Sequence, residues 1–343
     1  MLRSFQPILA ALAALLLAVG ATACGGTGES AGAAADDGGG GKLTLVAYST
    51  PREAYEELIP AFAATRPGKG VSFDQSYGSS GEQSRAVEQG LPADVVAFSL
   101  APDVTRLVDA GMVDESWPDG PHKGMVTNSV VVFAVRKGNP KEIRTWDDLV
   151  RDDVEVINAN PFTSGGARWN VMAAYGAQLE QGKSKEEAVA YLRKLFAQIP
   201  VQDKSARESL QTFSGGKGDV LIAYENEAIT AQQKGEDLDY VVPDETILIE
   251  NPVAVVNESK HPETAQAFVD FLTTPDAQRI FAEKGYRPVD EAVLAESDFP
   301  EPANLFTIDD LGGWDAVMKG FFDREEGIVA DIERDLGVSV ESR

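Results

Sequence analysis

From residue 42 onward, short β-branched runs alternate with stretches whose apolar residues fall three and four apart, and few architectures accept that order. Leu43-Thr-Leu-Val-Ala47 reads as a strand, and residues 52–64 carry Tyr55, Leu58, Ile59 and Phe62 on one helical face. Residues 71–75 and 94–98 predict two more strands, with a helix over 82–89 between them. A βαβα order sets consecutive strands in parallel under a cover of helices. Ser129-Val-Val-Val-Phe-Ala-Val135 is a longer β run that leads out of this first unit. A second alternating set follows: a strand over 154–157, helices over 169–179, 185–198 and 208–213, and a strand over 219–224. Residues 247–257 predict another long strand, broken at Pro252, that returns the chain to the first unit. Helices over 262–272 and 275–282 finish that unit, and 314–336 predicts one long terminal helix. The expected fold is α/β: two lobes, each a mostly parallel sheet flanked by helices, joined by two crossing strands.

Charge and cysteine content narrow the function. The 343 residues hold 55 Asp and Glu against 30 Lys and Arg, a formal charge of -25. A field of that sign repels nucleic-acid backbones, so no nucleic acid is expected as a partner. One Cys and two His leave disulfide frameworks, cysteine zinc sites and three-histidine zinc centres without ligands, and no metal or cofactor is expected. Residues 1–24 read MLRSFQPILAALAALLLAVGATAC: one arginine, an apolar run from Ile8 to Ala23, then small residues before the only cysteine. That run is short for a membrane-spanning helix and has the order of a secretory signal peptide. Ala21-Thr-Ala-Cys24 resembles the cleavage box of bacterial lipoproteins, which implies that Cys24 becomes the lipidated first residue. The Gly, Ala and Ser that follow cannot build a core and read as a flexible tether. The expected organisation is a signal peptide over 1–23, a tether over 24–41, lobe 1 over 42–128, lobe 2 over 129–250, and the rest of lobe 1 with a C-terminal helix over 251–343. The localisation that follows is extracytoplasmic, held to the cell membrane by lipid.

Four Ser-, Thr- or Gly-rich turns stand directly before predicted helices: Ser49-Thr50-Pro51, Gly78-Ser79-Ser80-Gly81, Thr163-Ser164-Gly165-Gly166-Ala167 and Lys204-Ser205-Ala206. The first N–H groups of a helix lack internal partners and sit at the positive end of its dipole, so such turns suit an anion. Each turn taken alone also fits ordinary helix capping.

A resemblance adds to this reading. Asn160-Pro-Phe-Thr-Ser-Gly-Gly-Ala-Arg-Trp-Asn170 is similar to the signature Asn-Pro-Lys-Ser-Ser-Gly-Gly-Ala-Arg of the periplasmic sulfate- and thiosulfate-binding proteins of bacterial ABC importers. Gln75-Ser-Tyr-Gly-Ser-Ser-Gly81, Val135-Arg-Lys-Gly-Asn-Pro140, Trp146-Asp-Asp-Leu149, Gly218-Asp-Val-Leu-Ile-Ala-Tyr-Glu-Asn-Glu-Ala228 and Tyr286-Arg-Pro288 occur in that family's order. Leu305-Phe-Thr-Ile-Asp-Asp310 and Gly312-Gly-Trp314 match as well. The resemblance implies a type II periplasmic-binding-protein fold, and a monomer that catalyses nothing, closes on sulfate or thiosulfate and hands it to a membrane permease. The implied donors are Ser49 and Ser80 from the first lobe, with Ser164, Gly165, Gly166, Ala206 and Tyr224 from the second. Three positions depart from the family: Ser49 stands for an aspartate that gives its backbone N–H, Tyr224 for a tryptophan, and Phe162 for a lysine.

Other readings stay open at this point. Molybdate, tungstate or phosphate would fit the same fold, Ser164 with Gly165 and Gly166 could serve an exported serine hydrolase, and a lipoprotein used only for interaction is a third possibility. Arg168 reads as a supporting guanidinium held by a carboxylate, Glu225 and Glu227 as a solvated helix start, and His122 and His261 as turn residues. Asp147-Asp148 and Asp152-Asp153 read as solvated surface, and Gly215-Gly-Lys-Gly218 lacks the spacing of a phosphate-binding loop. Replacing Cys24 with Ser should release the protein from the membrane fraction; a variant retained at the wild-type level would remove the lipid anchor from the reading.

Overall fold

The computed structural model describes residues 41–338 and 340, so the leader, Cys24 and all of the tether but Gly41 lie outside the described residues. The first lobe begins with β1 (Lys42–Tyr48), α1 (Arg52–Ala63), β2 (Ser72–Gly78), α2 (Ser80–Glu88), β3 (Val95–Ala97) and α3 (Ala101–Asp109). A long strand, β4 (Met125–Arg136), leads into β5 (Val156–Ile157), α4 (Gly165–Glu180), α5 (Lys185–Ala197), α6 (Ala206–Ser214), β6 (Val220–Tyr224), α7 (Glu225–Gln233) and β7 (Leu238–Val241). A second long strand, β8 (Glu245–Val255), leads back to α8 (Pro262–Leu272), α9 (Pro275–Glu283), β9 (Arg287–Pro288) and α10 (Glu291–Ala295). The chain ends with β10 (Asn304–Phe306), α11 (Gly313–Phe321) and α12 (Ile328–Asp335).

The strand order β2-β1-β3-β8-β4-β6-β5 makes the crossing explicit. β1 lies parallel to β2 and β3, while Val253 and its successors in β8 run antiparallel to β3. The other end of β8 pairs with the first half of β4, whose second half, from Val131 on, pairs antiparallel with β6. β5 and β6 are parallel, so in each half the crossing strands supply antiparallel neighbours. Strand periodicity explains why both faces are covered. In β1, Leu43, Leu45 and Ala47 pack with α1, α8 and α9, while Val46 faces Val87 of α2 and Leu107 of α3. In β4, Val131, Phe133 and Val135 enter one core and Val130, Val132 and Ala134 the opposite one. An unbroken apolar run is what a strand buried on two faces requires.

Two expected elements differ. Pro252 does not break its strand. The residue pairs with Met125, where the β4 register shifts, so its missing N–H falls at an irregularity, while its carbonyl still accepts from Phe98 N at 3.0 Å. The single terminal helix is instead α11 and α12. Asp323 Oδ1 accepts from the N–H groups of Glu325 and Glu326, both at 2.9 Å, and starts a new turn. A Cβ at Gly327 would lie 2.4 Å from Asp323 O and 2.6 Å from Phe321 O, so the fold-back needs glycine there. Val317, Phe322, Val329 and Ile332 then pack into the core of the second lobe with Trp146 and Trp169. The sequence reading also omitted the short elements α3, β7, β9, α10 and β10, and gave α7 only as a helix start at Glu225.

Packing α12 this way buries Glu333. Its Oε2 accepts from Gln202 Nε2 at 3.0 Å and its Oε1 has no partner. Burial raises its carboxyl to about 7 despite that hydrogen bond. The fold therefore prefers the protonated acid. The stability it keeps below the ordinary carboxylate range is lost as pH rises through about 7. Glu333→Gln, which cannot ionise and can answer the buried, unpartnered Gln202 Oε1, should gain roughly 1–3 kcal/mol in denaturant unfolding at pH 8 and much less at pH 5.

Candidate functional site

Three helix starts point at one recess between the lobes. Ser79 and Ser80 open α2, Ser164 to Gly166 open α4, and Ser205 and Ala206 open α6; Tyr224 ends β6 on the same side. With Tyr48, Ser49, Thr50 and Ser99 they line this narrow recess. Every lining residue described is neutral, so the recess offers hydroxyls and first-turn N–H groups without an ionised side chain.

The donors differ in what they have left to give. Ser164 Oγ caps its helix by accepting from Ala167 N at 3.3 Å, which leaves its proton for another acceptor. Ser205 caps α6 in the same way through Glu208 N at 3.2 Å, leaving the N–H of Ala206 at the helix tip. Ser80 is different: its hydroxyl donates to the buried Asp103 Oδ2 at 2.6 Å and accepts from Ser99 N at 3.0 Å, so its backbone N–H is the group that remains. The Ser49 carbonyl accepts from Arg207 Nε and Nη2 at 3.2 and 3.1 Å, and the planar peptide turns the Thr50 N–H away from that guanidinium. Burial pushes the Tyr224 hydroxyl well above its usual range, so it stays protonated at neutral pH.

Contacts across the recess hold the lobes together. Gly81 N donates to Thr163 O at 3.2 Å, Trp169 Nε1 to Ser99 O at 2.8 Å, and the hydroxyls of Ser99 and Tyr224 are 2.7 Å apart. Glu53 meets Arg207 at 2.6 Å and also pairs with Lys234. Burial alone would raise the Glu53 carboxyl, but hydrogen bonds from these two cations outweigh it and hold it down at about 2. The ion pairs persist while Glu53 stays ionised and are lost only as pH falls through that value. The glycine of the Ser164 turn is required by space. A Cβ on Gly165 would stand 2.1 Å from Leu100 Cδ2 and 2.9 Å from Ser99 Cβ, both in the opposite lobe.

All seven residues proposed from sequence, Ser49, Ser80, Ser164, Gly165, Gly166, Ala206 and Tyr224, line this recess. Thr50, Ser79 and Ser205 lay in the turns quoted but were not singled out. Ser99 was missed. Its signal was position, at the carboxyl end of a parallel strand where α/β sheets place ligands. Tyr48 is the last residue of a neighbouring parallel strand, and its hydroxyl is buried beside those of Thr50 and Tyr286 without a well-formed hydrogen bond.

The charged residues sort less simply. Arg168 is buried, 3.9 Å from Asp103 Oδ1, and donates through Nε to Pro161 O at 2.8 Å, which is a supporting place. Phe162 is buried in the core of the second lobe with Trp146 and Trp169. The solvated reading of Glu225 and Glu227 is overturned, because both are buried. Glu225 binds Arg287 through both carboxylate oxygens at 2.7 and 3.1 Å. Glu227 accepts from Tyr224 N at 3.2 Å, and burial lifts its carboxyl to about 7. Asp147, Asp152 and Asp153 are exposed as expected, whereas Asp148 is half-buried and caps the turn at Thr145. His122 sits in the turn before β4 and His261 at the start of α8, so neither lines the recess. Among the described residues no cluster of His, Cys, Asp and Glu is arranged to hold a metal ion.

A sequence profile of bacterial extracellular solute-binding proteins matches residues 43–287. The chain belongs to that family. Because the family is extracellular, the chain works outside the cytoplasm. The sulfate-binding protein of Synechococcus elongatus is 44% identical over 333 residues, covering 93% of each chain. The thiosulfate-binding protein of Pseudomonas aeruginosa is 36% identical over 81% of this chain and 88% of its own. Among solved structures, the sulfate-binding protein SubI of Mycobacterium tuberculosis is 46% identical. It superposes with a TM-score of 0.80 over 82% of this chain and 99% of that one. The two-lobed periplasmic-binding-protein fold expected from sequence is therefore the fold of this family member.

Proposed function

We propose that this solute-binding protein captures sulfate between its lobes through neutral hydrogen-bond donors and delivers it to the permease of an ABC importer, catalysing no reaction itself. The observation that carries the reading is the recess at three helix starts, lined by hydroxyls and N–H groups with no ionised side chain. Relatives named for sulfate and thiosulfate support the ligand class. The donors are Ser49 with Thr50, Ser80, Ser164, Gly165, Gly166, Ala206 and Tyr224. Lobe 1 holds residues 42–128 and 251 through α10, lobe 2 holds 129–250 together with α11 and α12, which pack on its core, and motion between the lobes bends β4 and β8. Cys24 carries the lipid that keeps this monomer at the membrane.

Selectivity follows from protonation. Sulfate is fully ionised at neutral pH and only accepts hydrogen bonds. Phosphate keeps a proton that must face an acceptor, and a ring of backbone N–H groups sets hydrogen against hydrogen. Leaving buried polar groups mismatched is how a site rejects a near-isosteric ligand by orders of magnitude. Dispersing the ligand's charge over several dipoles also avoids burying a counter-ion, whose desolvation costs several kcal/mol.

Calorimetry on the purified mature domain against sulfate, thiosulfate, molybdate and phosphate tests the ligand: sulfate or thiosulfate should bind most tightly, and preference for molybdate or phosphate would replace the assignment. Ser164→Ala removes one hydrogen bond to a dianion, worth about 1.5–3 kcal/mol, and should weaken sulfate by about tenfold to a hundredfold without unfolding the protein. Labelling of Ser164 by a covalent serine probe would favour hydrolase chemistry instead. Gly165→Ala should prevent full closure. In saturating sulfate, its radius of gyration by small-angle scattering should exceed that of wild type, and equal radii with unchanged affinity would show that the glycine is dispensable.

A further inference from the structure

Ser99 is held at every polar atom. Its N–H donates to Ser80 Oγ at 3.0 Å, and its carbonyl accepts from Trp169 Nε1 at 2.8 Å and from Asn251 Nδ2 at 3.0 Å. These partners come from the first lobe, the second lobe and the crossing strand β8. Ser99 is 1% exposed, so its hydroxyl has one fixed place, 2.7 Å from the Tyr224 hydroxyl and on the wall of the recess. No other pair of lining side chains is joined by a hydrogen bond across the lobes among the described residues.

Two hydroxyls in contact hold two protons, and one of them occupies the bond between them. If Ser99 donates to Tyr224, the phenol proton faces the recess; if Tyr224 donates to Ser99, the serine proton does. In either arrangement one proton is left over, and the donation inside the pair polarises the hydroxyl that keeps it. We propose that Ser99 belongs to the anion site as the partner of Tyr224, the two hydroxyls acting as a single shared donor to the ligand. This rests on the oxyanion-binding reading above and adds to it a residue and a coupling that the helix-start argument does not contain.

A shared donor is lost only when both hydroxyls go. Calorimetry with sodium sulfate on wild type, Ser99→Ala, Tyr224→Phe and the double variant reads the coupling directly. Each single variant keeps one hydroxyl proton for the ligand and should weaken sulfate by less than about threefold, whereas the double should weaken it by about tenfold to a hundredfold. Ser99→Ala should therefore cost about tenfold to a hundredfold in the Tyr224→Phe background and less than about threefold with Tyr224→Trp, whose N–H needs no neighbouring hydroxyl. A merely structural role for Ser99 would lower the melting temperature of the ligand-free protein and cost the same affinity in both backgrounds. A full loss in either single variant with no further loss in the double, or a double that only multiplies the single losses, overturns the shared donor alone. A wild type that binds no sulfate removes it together with the functional reading.

Discussion

A helix cannot satisfy the N–H groups of its own first turn, and in this protein three such turns are brought to one point where bulk water does not answer them. Most of the architecture around the recess serves that convergence. α2 is carried there by the sheet of the first lobe, α4 and α6 by the sheet of the second, and β4 and β8 set the two sheets edge to edge. The caps at Ser164 and Ser205 each satisfy one later N–H and leave the earliest ones facing inward. Positive ends of dipoles gathered without a cation give an anion a favourable field at little desolvation cost.

That arrangement answers a difficulty set by composition. A chain with a formal charge of -25 repels anions at long range, so the attraction proposed for an anionic ligand must be local and come from groups almost in contact with it. The cations that do lie near the recess are engaged elsewhere: Arg207 and Lys234 with Glu53, Arg168 beside Asp103. They fasten or brace the lobes and leave the inner wall neutral. Glu227, the nearest buried acid behind Tyr224, has its carboxyl raised to about 7, which softens the negative charge it would otherwise set beside the ligand.

The repeating units were legible because each strand and helix announced itself locally. The alternation in β1 and the continuous apolar run in β4 needed no knowledge of distant contacts. The elements misread depended on partners far along the chain. Pro252 stays in a strand because β4 is irregular opposite it, and the terminal helix breaks because Asp323 and Gly327 cooperate to turn it back. Site residues in the glycine- and serine-rich turns were visible for the same local reason. Ser99 was not, since a lone serine after Val95-Val-Ala-Phe98 acquires its meaning only when Trp169, Asn251 and Tyr224 arrive from elsewhere. Glu225 looked solvated because nothing near it in sequence hints at Arg287.

The route of β8 has a consequence for how the chain is assembled. β3 is complete once Ala97 is made, yet its antiparallel neighbour in the sheet spans Val253 to Val255. More than a hundred residues, including most of the second lobe, must emerge before that partner exists. Until then one edge of the first sheet is open to any passing strand, a hazard limited by the shortness of β3. The long loop to be closed also makes this pairing a late and slow contact. Neither half can therefore complete its sheet before β8 has been made.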